Sequence, residues 1–238
     1  MFQRSWARPA SAVALLALVL LASACLVEPS GDPGAPPEVS PGSTVPGEQE
    51  DGTMSIDEFQ RDVQGAVEVA EAYWEERVEG FRPIRRVIAY QRDGEVECGG
   101  QPLTRNNAAY CSGGDFIAYD VNWAVSAFRQ IGDAFVFYLL GHEYAHGIQV
   151  RLGIQYRFTI QQELQADCMA GAYMGDSVRA KALRLDDGDI DELQQGLLAV
   201  GDDPGQPWFE SGAHGTAEQR ADSFFSGYQK SLDTCSLG

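Results

Sequence analysis

One segment of this 238-residue chain joins a long apolar run to ionisable side chains, and this combination constrains the fold more than any other feature. Residues 134–140 (AFVFYLL) are apolar on every face of a helix, which is typical of a buried helix. His142, Glu143 and His146 follow at once, and burying such groups is costly unless they have partners. We therefore predict a central helix over 134–152 that carries a polar site.

The spacing of the two histidines predicts a shared metal ion. His142 and His146 are four residues apart, so their rings lie on one helix face and can bind one ion through neutral imidazole nitrogens. Glu143 is offset around the helix, so it can reach a water beside the ion without being a ligand. This is the H-E-x-x-H zinc pattern. The alternative is a helix end with ordinary solvated side chains.

A catalytic zinc ion needs a third protein ligand and keeps one position open. Glu163 and Asp167, four residues apart on a second predicted helix, are the candidates. Glu163 is predicted to be the third ligand. Asp167 could accept a hydrogen bond from Nδ1–H of a ligand histidine and so fix its tautomer. Because the chain has 35 acidic residues, an ordinary surface carboxylate is the competing interpretation of Glu163.

Periodicity elsewhere predicts an α+β domain that is mostly helical and has a small β-sheet. Ser55 and Glu58 form a capping-box pattern that opens a helix running to about Val78. Short strands are predicted over 86–91 and 116–120, and a loop over 98–111. Further helices are predicted over 123–130, 134–152, 159–174, 189–200 and 216–232.

The first 56 residues are predicted to be separate from this domain, which we place at 57–238. A basic start, an apolar run over 12–22 and small residues after it predict a signal peptide over 1–24, because the run is too short to span a membrane. Cys25 then stands where bacterial lipoproteins are lipidated; plain secretion is the alternative. Residues 25–56 are acidic and rich in proline, which predicts a solvated, disordered tether.

The charge balance excludes whole classes of function. With 17 Lys and Arg against 35 Asp and Glu, the net charge is −18, which argues against a nucleic-acid binder. It also argues against a protein held electrostatically on a membrane surface. A lipid at Cys25 needs no basic surface, so we predict an extracytoplasmic lipoprotein that contacts the membrane through this lipid alone.

The four remaining cysteines fit an exported protein with two disulfides, for which three pairings exist. Cys98–Cys111 closes a local loop and is the natural first pair, which leaves Cys168–Cys235. A zinc site that uses Cys168 is the competing interpretation. We disfavour it because Cys168 is adjacent to Asp167 and therefore points about 100° away from it on the helix.

Three segments, taken in order, resemble the signatures of the bacterial "putative neutral zinc metallopeptidase" family. The first two are similar to those of gluzincin peptidases. The pairs Tyr110-Cys111 and Tyr119-Asp120 also resemble a part of that family. The three segments are 141–146 with Gln149, 163–171 (ELQADCMAG), and 214–216 with Gln219 and Arg220.

The resemblance implies a peptidase with one Zn²⁺ held by His142, His146 and Glu163, acting on peptide or protein substrates. Glu143 would be the general base that takes a proton from the zinc-bound water and passes it to the leaving amine. The competing hypothesis, from another functional class, is a catalytically silent lipoprotein in which zinc stabilises a binding or assembly module.

Two further expectations concern the substrate. The oxyanion of the reaction needs a hydrogen-bond donor. His214 is the first candidate and Tyr119 is the second. A structural histidine that caps the helix starting near Thr216 is the equally open alternative for His214. The predicted strand over 116–120 is expected to offer a free edge to an extended peptide.

Overall fold

The computed structural model describes residues 54–203, 205–210 and 212–236. The predicted signal peptide, Cys25 and all but the last residues of the predicted tether lie outside the described residues. The described part confirms a mostly helical α+β fold with a small sheet. Its helices are α1 (Ile56–Glu75), α2 (Val121–Gln130), α3 (Ala134–Leu152), α4 (Thr159–Arg179), α5 (Asp189–Ala199) and α6 (Ala217–Lys230), and its strands are β1 (Arg86–Tyr90), β2 (Glu97–Cys98), β3 (Gln101–Pro102), β4 (Ala108–Cys111) and β5 (Phe116–Asp120).

Helix α3 lies at the centre of the hydrophobic core, as its composition predicts. Every residue over 134–145 is buried, and the helix packs against α1, α4 and α5. The Asp133 side chain accepts a hydrogen bond at its start, and Gly153 ends it in the left-handed conformation with φ 67°. The polar site on α3 is therefore set inside the core.

The sheet corrects one expectation about the substrate. Its order is β1-β5-β4, with β5 parallel to β1 and antiparallel to β4. Strand β5, over 116–120, is therefore central and fully buried, and the expectation that it offers a free edge is wrong. The outer strands are β1 and β4, and β4 lies within the segment predicted to be a loop.

Helices α4 and α6 approach each other so closely that their backbones touch. A Cβ atom on Gly171 would collide with the carbonyl oxygen of Phe224, and one on Gly227 with the carbonyl oxygen of Cys168. This close approach brings the start of α6 beside the buried middle of α4. Glycine is required at these positions because backbone atoms cannot move aside as a flexible side chain can.

Two disulfide bonds join distant parts of the fold, with the pairing that the sequence favours. Cys98–Cys111 links β2 to β4, and Cys168–Cys235 links α4 to the segment after a short 3-10 helix over Leu232–Thr234. With its sulfur in a disulfide, Cys168 is not a metal ligand in this structure. Within the described ranges, no helix combines the length and apolarity needed to cross a membrane.

The contact between α4 and α6 generates a stability prediction. We expect Gly227→Ala to lower the free energy of unfolding by about 2 kcal/mol, because overpacking costs roughly 1–3 kcal/mol and here the obstacle is backbone. Denaturant unfolding measures the change. Gly113→Ala is the control, because a Cβ atom at Gly113 meets no atom within 4 Å. Equal stabilities of the two variants would contradict the role of this contact.

Candidate metal centre

Three of the predicted metal-site residues converge on one point. His142 and His146 reach it from α3, and Glu163 reaches it from α4. The Nε2 atom of His142 lies 3.1 Å from Nε2 of His146 and 3.2 Å from Oε2 of Glu163, and Nε2 of His146 lies 3.4 Å from the same oxygen. These ligand atoms lie within 4.8 Å of one another and could hold a metal ion.

The electrostatics of this group favour a cation. Burial alone would raise the pKa of Glu163, but the His142 and His146 rings outweigh burial and hold that pKa below its usual range. For His142, burial lowers the pKa, whereas Asp167 and Glu163 raise it more strongly, to about 10. The carboxylates therefore stabilise positive charge between the rings. Two imidazoles and one carboxylate are also the donor set that suits zinc.

Asp167 lies on the opposite side of the His142 ring, where the sequence predicts it. Its Oδ1 atom is 2.8 Å from Nδ1 of His142. Asp167 is 0% exposed, and burial raises its pKa, but His142 and Arg220 outweigh burial and lower it. A charged carboxylate beside Nδ1 favours a proton on that nitrogen, which leaves Nε2 for a metal.

Arg220, at the start of α6, neutralises Asp167 inside the core. Its Nε and Nη2 atoms donate to the two carboxylate oxygens over 2.9 and 3.0 Å. Nη2 also donates to the hydroxyl of Tyr138, which in turn donates to Asp167 over 2.8 Å. Nη1 donates to the carbonyl oxygen of Val200. A buried carboxylate is stable when it is paired and hydrogen-bonded in this way.

Glu143 is anchored by the sheet. Its Oε2 atom accepts a hydrogen bond from the backbone N–H of Tyr110 on β4 over 2.7 Å. The Tyr110 hydroxyl donates to Asp115, which also pairs with Arg151 at the end of α3 over 3.0 Å. These contacts fix β4 against α3 and hold the Glu143 carboxylate in one orientation.

A cleft of about 570 Å³ exposes the site to substrate. Its lining includes residues of β4 together with Val200 and His214. The residues of the site that line it are His142, Glu143, His146, Glu163 and Arg220.

His214 lies in the cleft wall, and Tyr119 does not. The backbone N–H of His214 donates to Asp202 over 2.7 Å, and its Nδ1 atom lies 3.4 Å from the same carboxylate. The cap of α6 is Thr216, so the alternative that His214 caps this helix is wrong. Tyr119, the second candidate for the oxyanion donor, is 7% exposed, packs against Phe59 in the core and does not line this cleft.

Comparison with known proteins agrees with this geometry. Residues 6–236 match the family described as "putative neutral zinc metallopeptidase". The chain belongs to this family.

Two relatives are longer than the region that they share with this chain. An uncharacterized protein of Mycobacterium tuberculosis is 30% identical over 189 residues, covering 67% of this chain and 63% of the relative. The uncharacterized protein YpfJ of Escherichia coli is 32% identical over 118 residues, covering 41% and 40%. The chain thus spans less than two thirds of the length of these relatives. No solved structure matches it.

The structure adds two groups to this candidate metal site that the sequence did not assign. The backbone N–H of Tyr110 cannot be read from residue types, because strand β4 forms only through its pairing with β5. Arg220 stands in a signature segment of the family, but its partner Asp167 is 53 residues away in the chain. Its place in that signature segment was the signal in the sequence, and the segment alone gave it no role.

The contact between Asp167 and His142 leads to a prediction about metal affinity. We expect Asp167→Asn to weaken zinc binding by about 10- to 100-fold, the range for partners of ligand histidines. Competition with a coloured chelator measures the dissociation constant. Asp222→Asn, at an exposed position of α6, is the charge-matched control and should leave the constant unchanged. Equal affinity in both variants would contradict the role of Asp167.

Proposed function

We propose that this protein is a zinc-dependent peptidase that works outside the cytoplasm and is anchored by a lipid at Cys25. The observation that carries the proposal is the position of Glu143. Its carboxylate is fixed on the same helix turn as His142, and it lines the same open cleft as His142, His146 and Glu163. A group that only bound a structural metal would not need a buried carboxylate at the wall of a substrate-sized cleft.

His142, His146 and Glu163 would hold the ion. Zinc would polarise the scissile carbonyl and lower the pKa of the attacking water. Because Tyr110 donates to Oε2 of Glu143, Oε1 is the atom that we expect to accept the proton from this water. The same oxygen would then return the proton to the leaving amine.

Strand β4 is the surface on which we expect an extended peptide to bind. It is an outer strand of the sheet, and Ala108, Ala109 and Tyr110 line the cleft. The N–H of Tyr110 points away from β5, toward Glu143. A substrate added beside β4 would therefore run past the metal centre.

His214 is proposed as the donor that stabilises the oxyanion. Asp202 contacts both its backbone N–H and its Nδ1 side, which would leave the Nε2 side of the ring for the substrate. Nε2 would donate to the oxyanion when both ring nitrogens carry a hydrogen, the form of the ring that a carboxylate beside Nδ1 stabilises. Donors of this kind act mainly on the transition state, where negative charge develops on the carbonyl oxygen.

The proposed location outside the cytoplasm rests on the two disulfides and is compatible with the acidic composition. Two disulfides are typical of proteins in oxidising compartments outside the cytoplasm. The acidic composition excludes neither a lipid anchor nor a peptide substrate. Secretion without lipid remains the alternative address.

Replacement of the proposed base tests the reaction directly. We expect Glu143→Gln to lower kcat/KM toward an unfolded protein substrate by at least about 10²-fold, because proton transfer is lost. Zinc content should stay at the wild-type value, since Glu143 is not a ligand. Full hydrolysis by the zinc-loaded variant would contradict the mechanism. Zinc binding by the wild type without cleavage of a broad peptide set would favour the silent binding module.

The role of His214 has its own test. We expect His214→Ala to lower kcat by about 10²-fold, the effect of losing one oxyanion donor, with zinc affinity unchanged. Steady-state kinetics separate the two parameters. An effect on KM alone would instead indicate that His214 only binds substrate.

A further inference from the structure

We propose that residues 235–236 help to orient the ring of His146, and that they do so through two buried glutamines. In this view Gln149 and Gln165 are positioning residues that orient the ring of His146. The inference rests on the proposed role of His146 as a metal ligand. It extends that role to a part of the chain that is remote in sequence and contributes no ligand.

A continuous chain of hydrogen bonds starts at His146. Its Nδ1 atom lies 2.8 Å from Oε1 of Gln149, which is one helical turn further along α3. Gln149 Nε2 then donates to Oε1 of Gln165 over 3.0 Å and to the carbonyl oxygen of Gln162 over 2.8 Å. Helix α4 therefore supplies both acceptors for this amide.

This series of hydrogen bonds ends on the backbone carbonyl groups of residues 235 and 236. Gln165 Nε2 donates to the carbonyl oxygens of Cys235 over 3.0 Å and Ser236 over 2.8 Å. A carbonyl oxygen can only accept, so the amide of Gln165 has one orientation, with its NH₂ group toward these residues. Its Oε1 atom must then face Gln149.

The orientation of Gln165 fixes the orientation of Gln149, which in turn decides which ring nitrogen of His146 carries the hydrogen. Since Gln165 Oε1 and the Gln162 carbonyl are both acceptors, the NH₂ group of Gln149 must face them, and its Oε1 atom faces His146. His146 Nδ1 is thereby required to carry the hydrogen. The lone pair is left on Nε2, which is the atom that faces His142 and Glu163.

Burial makes the orientation strict. Gln149 is 0% exposed and Gln165 is 5% exposed, so water offers little compensation for a lost partner. A buried amide turned the wrong way would set oxygen against oxygen, which is unfavourable in a low-dielectric interior.

The Cys168–Cys235 disulfide holds the end of this chain in place. Cys235 is bonded to the residue next to Asp167, which contacts the other ligand ring at His142. Both histidines are thus oriented from one stretch of α4, residues 165–168. Loss of the disulfide would release the carbonyl acceptors at 235–236 and free the two amides to turn.

The full-length chain, purified from an exporting host, serves for the first test. We expect Gln165→Glu to raise the zinc dissociation constant by about 10-fold or more, because a carboxylate has no hydrogen for the two carbonyl groups. Gln161→Glu, an identical change at an exposed position of α4, should leave the constant within about 2-fold.

A second pair of variants tests the disulfide without touching either glutamine. Replacing both Cys168 and Cys235 by serine should weaken zinc binding by about 10-fold, whereas the same replacement at Cys98 and Cys111 should not. Circular dichroism establishes that each variant is folded at the temperature of the titration. Unchanged affinity in both Gln165→Glu and the Cys168/Cys235 variant would overturn the proposal, while zinc binding by the wild type would leave the proposed function intact.

The tautomer of His146 gives a readout that does not depend on zinc or on turnover. ¹⁵N NMR of the imidazole in the metal-free protein should show the Nδ1–H form in the wild type and a mixture in Gln165→Glu. An Nε2–H form in the wild type would overturn the proposal that Gln149 and Gln165 orient His146. If the wild type bound no zinc, the metal-ligand role of His146 and the proposed function would both fail, whatever the tautomer.

Discussion

The structure depends on one electrostatic constraint, the burial of His142, Glu143 and His146 at the end of an apolar helix. Each of these groups has to find a polar partner that a hydrophobic core does not provide. The partners come from two of the elements around α3. Strand β4 supplies the N–H for Glu143, and α4 supplies Glu163 and Asp167 for the rings. This need restricts the positions that α4 and β4 can take around α3.

The supporting elements are themselves stabilised in the same way. Asp167 is a buried charge, and Arg220 neutralises it from α6, which the backbone contacts at Gly171 and Gly227 bring within reach. The polar site therefore extends through three helices. A buried ion pair of this kind adds little stability compared with apolar packing, but loss of one partner is costly. Its value here is the single orientation that it gives to the His142 ring.

The features that could be predicted from the sequence are those set by short spacing. A separation of four residues places His142 beside His146, and Glu163 beside Asp167, on single helix faces. The apolar run over 134–140 locates the core helix for the same reason. Strand β4 could not be predicted from its own residues, because alanines have little preference for a strand. Its conformation is set by its pairing with β5. The mistaken roles of β5 and Tyr119 share one cause: sheet order decides which strand is central, and no local pattern encodes it.

Strand β4 has a consequence for how the proposed peptidase would choose among substrates. The same four-residue strand that orients Glu143 through Tyr110 also forms the wall beside which a peptide would lie. A peptide that fits poorly would displace this strand and so disturb the Glu143 carboxylate, which is the proposed proton acceptor. Selectivity would then be expressed in the rate of the chemical step as well as in binding, so a poorly matched peptide could occupy the cleft without being cut.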